Sequence, residues 1–277
     1  MDDIDLLYTN QENFIIVLDS RNATTYKNGS FNSSIEFDLR EPIKLNHRSI
    51  VMKCSLLNFI CPNSIYILNE YNSTLKYTLA GFPQNAIVFP YGNYNALTFM
   101  TMFKNTMPTG FNITFNQVTN IFTVTYTSNF SFDSGSTVYE VMGFKNNISN
   151  ASTNNSLVMP FTCNFNGLQS FNIHFSSINT NNIDSLTKTN SSIIQSVQIP
   201  INCNQILFQK TNEFNFVVAQ DMIDDIKIEL KDDQGNLINL NNNHFNLTLE
   251  FSVIKDINRF RDMHNFHHIM KYGNFYY

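Results

Sequence analysis

Ile226-Lys-Ile-Glu-Leu230 and Phe245-Asn-Leu-Thr-Leu-Glu-Phe-Ser-Val253 decide the fold class of this chain. Both runs alternate apolar with polar residues, the pattern of a strand with one buried and one wetted face. Between them stands Lys231-Asp-Asp-Gln-Gly235-Asn236, a turn signal. A short polar link through Asn241-Asn242-Asn243 follows it. Residues 224–253 therefore read as one long β-hairpin.

The rest of the chain repeats the idiom. Short strand-like runs, many of them alternating, fall at 14–18, 34–39, 43–45, 64–68, 75–79, 86–89, 111–115, 121–126, 130–132, 171–175, 193–199, 205–208 and 214–218. The run at 49–59 is apolar on both faces and reads as a central strand. The period changes once: Asn95 can cap a helix over 96–104, where Leu97, Met100 and Phe103 recur at helical spacing until Pro108 and Gly110 stop it. Residues 138–142 read as a helical turn ended by Gly143. Asn28-Gly29 marks a turn in a polar loop, and 145–167 and 178–191 are polar, loop-like stretches. Many short strands with turn signals indicate a sandwich or barrel, and uneven loops with a helix between strands favour a jelly roll. The expected fold is all-β, a single jelly-roll β-sandwich with one short helix and extended terminal arms. Its expected parts are an N-terminal arm at 1–13, the jelly roll at 14–255 with a loop-rich 145–191 that has room for a small insertion, and a C-terminal tail at 256–277.

Composition narrows the function. Of 277 residues, 43% are hydrophobic and 14% aromatic, with 26 Phe, 12 Tyr and no Trp, which is ample for a core. Charged residues make up only 14%, far below the roughly 25% of an average domain, and Asn, Ser and Thr take their place. The net charge is −5, without a basic stripe, which argues against specific nucleic-acid binding. A surface with few charges suits packing against protein. No apolar run reaches the roughly 20 residues of a transmembrane segment, and Met1-Asp-Asp-Ile-Asp5 lacks the pattern of a signal peptide. Cys54, Cys61, Cys163 and Cys203 have no zinc-site spacing and read as reduced, mostly buried thiols. The frequent Asn-X-Ser/Thr sequons follow from the abundance of Asn.

Chemistry is sparse. The group His264-Asn-Phe-His267-His268 could place two imidazoles four apart on a helix, but no carboxylate partner or third ligand stands at a recognisable spacing, and the group reads as part of a solvated tail. Asp232 and Asp233 sit in a turn, where carboxylates serve the backbone. There is no G-x-S-x-G, P-loop or G-x-G-x-x-G motif. The reading is a protein that is not an enzyme and needs no cofactor or metal. The tail mixes Arg259, Phe260, Arg261, Phe275, Tyr276 and Tyr277. It admits two readings, a frayed terminus or an arm that docks on a neighbour.

Five segments carry a family resemblance. They are Leu18-Asp19-Ser20-Arg21, then Ile35-Glu-Phe-Asp-Leu39 with Pro42-Ile-Lys-Leu45 and the strand at 51–57, then Pro90-Tyr-Gly92-Asn-Tyr94 leading into the helix, then Val141-Met-Gly143-Phe144, and last the pair of runs from Ile226 to Phe251. In order and spacing, over residues 14–254, the chain resembles the single jelly-roll penton and minor capsid proteins of virophages, Polinton-like viruses and related large DNA viruses. The resemblance implies a structural capsid protein, a penton forming homopentamers at the five-fold vertices of an icosahedral virion assembled inside the infected host cell. It implies as partners other copies of itself, the double jelly-roll major capsid protein and other minor capsid proteins. The alternatives are another single jelly-roll minor capsid role, or a receptor- or carbohydrate-binding jelly-roll module using exposed Tyr and Asn on loops such as 90–95 and 145–167. The candidate subunit-interface residues are Asp19, Arg21, Arg259, Phe260, Arg261, Phe275, Tyr276 and Tyr277.

Overall fold

A computed structural model describes residues 9–26, 32–45, 49–178, 191–199, 205–210, 216–218 and 220–256. The chain divides into two compact units, one built from residues 1–64 and 170–277, the other from 65–169. This departs from the expected single domain over 14–255, because the separate unit begins far ahead of the loop-rich 145–191.

The first unit contributes β1 (Thr9–Asp19), β2 (Thr25–Tyr26), β3 (Ser34–Lys44) and β4 (Ser49–Pro62) before the division. The second unit holds β5 (Thr74–Leu79), β6 (Asn85–Val88), α1 (Ala96–Thr106), β7 (Asn112–Asn116), β8 (Ile121–Thr125), β9 (Phe130–Phe132), α2 (Tyr139–Met142), β10 (Asn150–Ala151) and β11 (Ser156–Val158). The chain then returns with β12 (Ser170–Phe175), β13 (Ile193–Gln198), β14 (Ile206–Lys210), β15 (Phe216–Val218), β16 (Met222–Lys231) and β17 (Asn246–Asp256).

In the first unit one sheet runs β1-β17-β4-β14, with β15 also on β4, and the other runs β13-β12-β16-β3-β2. All of these pairings are antiparallel. Leaving out the two-residue β2 and taking β14 and β15 as one position, the strands in chain order fall as 1-8-3-6 in one sheet and 2-7-4-5 in the other. That interleaving is two Greek keys wound together, a jelly roll. Strand alternation points Met52, Cys54, Leu56 and Phe59 inward from one sheet and Ile226, Ile228, Leu230, Phe171 and Phe175 inward from the other. The sheets meet ring to ring: Phe59 stands edge-on to Phe171 with centroids 5.8 Å apart, and Phe251 edge-on to Phe175 at 6.1 Å. Each such buried ring contributes about 2–3 kcal/mol of apolar burial.

The expected hairpin does not form. β16 and β17 are both strands, as their alternation requires, but they lie in different sheets. β16 sits between β12 and β3, and β17 between β1 and β4. The link between them turns twice. Asp232 gathers the amides of Gln234 and Asn236, 2.9 and 2.8 Å away, and Gly235 takes a left-handed φ of 86°. The chain then folds back so that Ile238 N–H donates to Leu230 C=O at 3.1 Å. Asn241 and Asn242, at φ 49° and 62°, turn it again towards the other sheet. Asn tolerates this region better than other side-chain-bearing residues.

Other expectations shift in detail. Residues 9–13 belong to β1, in register with 252–256, rather than to a free arm. Residues 64–68 form no strand, and Leu68 makes only an isolated bridge to Gly92. The run at 145–167 carries two short strands, β10 and β11. Asn28-Gly29 lies outside the described residues, as does most of 178–191. β4 is central, as its two apolar faces require.

The second unit packs the sheets β10-β9-β5-β6 and β11-β8-β7 with α1 around a phenylalanine-rich core. Asn95 caps α1 through a capping box closed by Thr98. The buried face is Phe99 and Phe103, whose rings pack on Phe89, while Leu97 is exposed. Asp133 is buried near the end of β9 and collects four donors, the hydroxyls of Thr78, Ser131 and Ser149 and the amide of Gln84, at 2.6–3.2 Å. Burial pushes its carboxyl up, but the four hydrogen bonds outweigh burial and hold it below the usual carboxylate range.

Candidate interaction surface

Among the described residues no group of three or more His, Cys, Asp or Glu is placed to hold a metal ion, and no described helix is long and apolar enough to cross a membrane. What stands out is the contrast between the outer faces of the two jelly-roll sheets. On the sheet of β12, β16 and β3, the outward positions carry charges, among them two ion pairs and the like-charged Asp225 opposite Asp38. Lys227 lies 3.5 Å from Glu36, and Lys231 lies 2.7 Å from Glu229.

The sheet of β1, β17, β4 and β14 differs. Directly opposite residues in a ladder share a face, so its register sets out rows. One row runs Phe208–Ile60–Asn246–Asp19, the next Lys210–Asn58–Thr248–Val17, and the next has Ile15 opposite Glu250. Ile206, one step beyond Phe208 on the same side, lies opposite Pro62. The large apolar side chains cluster at the two margins: Ile15 and Val17 on β1 are 64% and 74% exposed, and Ile206 and Phe208 on β14 are 70% and 60% exposed. Of the two inner strands, β17 turns Asn246, Thr248, Glu250 and Ser252 outward, and β4 turns Asn58 and Ile60 outward. Among the described residues β1 pairs only with β17, so one of its edges is open. Margin strands ordinarily carry Lys, Pro or bulges that block further pairing. Here β14 ends on the exposed Lys210, but Ile15 and Val17 on one margin and Ile206 and Phe208 on the other are β-branched or aromatic and stand exposed.

Asp19 and Arg21 lie at one end of this surface. Asp19 caps the short turn Ser20–Asn22 by accepting from Arg21 N–H at 2.9 Å, and its carboxylate meets the Arg21 guanidinium at 2.5–3.0 Å. The hydrogen bonds from the Arg21 side chain, then from its backbone, pull the Asp19 carboxyl down to about 2. The pair therefore satisfies itself within the chain, while Asp19 shares its row with Ile60 and Phe208. At the opposite end of β1, Glu12 pairs with Lys255 of β17. Arg259, Phe260, Arg261, Phe275, Tyr276 and Tyr277 lie outside the described residues. Ile15, Val17, Ile206 and Phe208 were not among the sequence candidates. The signal for the first two was present in Phe14-Ile-Ile-Val-Leu18, which is apolar at every position and so cannot bury both faces when one is a sheet exterior.

No protein-family model matches the chain, and no curated protein matches it. Among solved structures, the crystal structure of the selenomethionine-labelled penton protein of mavirus aligns over 88% of this chain and 99% of that chain, at 10% sequence identity and a TM-score of 0.44.

Proposed function

We propose that this chain is a structural capsid protein, a penton that assembles as a homopentamer at the five-fold vertices of an icosahedral double jelly-roll virus. The observation that carries the reading is the exposed apolar margin on both flanks of one jelly-roll sheet. A ring of identical subunits needs a heterologous contact, in which one patch meets a different patch on the next copy. Two margins of one sheet, each carrying exposed apolar side chains, supply two such patches, with Lys210 on the β14 margin and Asp19 on the β1 margin as the charges beside them. The five ordered segments that resemble single jelly-roll capsid proteins support the same reading. They include Leu18-Asp19-Ser20-Arg21 at the end of β1 and the β16 and β17 runs. The double jelly-roll major capsid protein and other minor capsid proteins are its proposed partners, and the virion vertex is its location. Residues 1–8 and 257–277 are proposed to reach adjacent subunits.

The test is the mass of the purified full-length chain by light scattering, alone and co-expressed with the major capsid protein, followed by imaging of the particles. A five-subunit species, or density for this chain at the vertices, is expected. A chain that stays monomeric and leaves the vertices empty overturns the proposal.

A further inference from the structure

The second unit carries a cleft of about 540 Å³ between the end of α2, residues 143–147, and the loop 161–166. Its volume falls in the roughly 300–1,000 Å³ range of small-molecule sites. Its framework is held by backbone hydrogen bonds. Phe161 N–H donates to Gly143 C=O at 3.0 Å, Asn164 N–H to Val141 C=O at 3.2 Å, and Cys163 N–H to Asn120 C=O at 2.9 Å. Gly143 has a left-handed φ of 82°, and a Cβ there would collide with the Phe161 carbonyl. The two walls therefore meet at a point where only glycine fits.

The lining is mixed in a particular way. Phe161 is 52% exposed and Tyr139 is half-buried, so aromatic surface is offered to a ligand. Around them stand the exposed amides of Asn146, Asn147 and Asn166. Tyr139 O–H donates to Glu140 Oε1 at 3.0 Å, which fixes a carboxylate at the rim. Side-chain amides present donors and acceptors side by side, the match for vicinal hydroxyls, which also donate and accept. The aromatic surface suits the C–H face of a pyranose ring. Glu140 and Lys145, the two charged residues of the lining, cancel, so the cleft does not select an anion. A peptide would be recognised along an open strand edge or a continuous apolar groove, and this lining comes from α2 and loops.

We propose that this cleft binds a neutral saccharide, with Phe161 as the stacking platform and Asn146, Asn147, Asn166 and Glu140 reading ring hydroxyls. The proposal does not depend on the oligomeric state of the chain. It is tested by saturation-transfer NMR on the full-length protein with glucose, galactose, mannose and N-acetylglucosamine and their di- to tetrasaccharides, at 50 and 500 mM NaCl. At least one neutral sugar is expected to bind at both salt concentrations. Phe161→Ala should weaken that binding at least about tenfold, as loss of a contact anchor does. Asn166→Ala should weaken it too, while Val118→Ser, on the turn between β7 and β8, leaves it unchanged. Thermal melting of each variant separates lost binding from lost fold, since all three positions are exposed. The proposal is overturned if no neutral sugar binds at millimolar concentration. Binding that survives Phe161→Ala in a folded variant also overturns it, as does binding confined to sulfated or sialylated sugars and abolished by salt.

Discussion

Ser20 and Phe245 hold each other twice. Ser20 N–H donates to Phe245 C=O at 2.9 Å, and Phe245 N–H donates to Ser20 Oγ at 3.0 Å. Ser20 is fully buried, its Oγ also lies 3.2 Å from His244 Nδ1, and Tyr26 O–H donates to its carbonyl at 2.6 Å. The contact fastens the short turn after β1 to the residue just before β17, where the chain arrives from the other sheet. Ser20→Ala keeps the backbone bond but leaves the buried Phe245 N–H without its acceptor. The expected loss is about 1–3 kcal/mol, read as a lower urea midpoint at unchanged slope. An unchanged midpoint would remove Ser20 from the clasp.

Asp133 holds the second unit as Ser20 holds the first. Asp133→Asn keeps the shape but turns a donor towards hydroxyls that had been donating. Destabilisation of about 1–3 kcal/mol is expected for a buried network broken in this way. The wild-type carboxyl is depressed, so its contribution is fully present above the ordinary carboxylate value of 3.8 and is lost as pH falls through the lower folded value. Melting curves of wild type and Asp133→Asn should therefore converge as the pH drops below 4 and stay apart at neutrality. Curves that remain equally spaced at every pH would show that the charge is not what the network uses.

The strands and the helix of this chain were legible because side-chain period reports faces. Ile226, Ile228 and Leu230 had to point one way, and Leu247, Leu249 and Phe251 had to do the same. Period does not report partners. A polar link containing Gly235 reads as a hairpin turn, and Asp232 and Gly235 do make a local turn. The second turn, at Asn241 and Asn242, looks from composition like the rest of an Asn-rich chain, yet it carries β17 into the other sheet. The separate unit at 65–169 was hidden for a related reason: its strands alternate like those of the jelly roll, and only their pairings set them apart. Of the candidate surface, Asp19 and Arg21 were named from a motif. Ile206 and Phe208 were not, because an exposed apolar residue in a strand is indistinguishable from a buried one until the sheet has an inside.

The thiols give a check on burial that needs no mutation. Cys54 and Cys61 are buried, and desolvation raises both, Cys61 to about 12. Half-buried Cys163 is raised as well. A thiol raised in this way holds its proton at pH 8 and reacts slowly. In native protein at that pH, Cys54 and Cys61 should resist maleimide for hours, and in denaturant all four cysteines should label at once. Mass spectrometry locates the adducts. Rapid labelling of Cys54 in folded protein would contradict its place between the sheets.

The apolar margins make the sharpest demand. Val17 and Phe208 are exposed, so exchanging either for Lys removes nothing from the core, and surface changes of this kind shift stability by about 0.5 kcal/mol or less. A charge placed there would have to be desolvated in any contact that covers the margin, at a cost of several kcal/mol. Val17→Lys and Phe208→Lys should therefore melt like the wild type and yet fail to associate. If the two margins meet each other around a ring, either substitution alone disrupts assembly, because each interface uses one margin from each of two neighbours. A mixture of the two variants should then form at most dimers, since the only interface left joins the unaltered β1 margin of one variant to the unaltered β14 margin of the other. Light scattering of each variant and of the mixture distinguishes this outcome from a self-complementary contact. In that case one variant would associate normally and the other not at all.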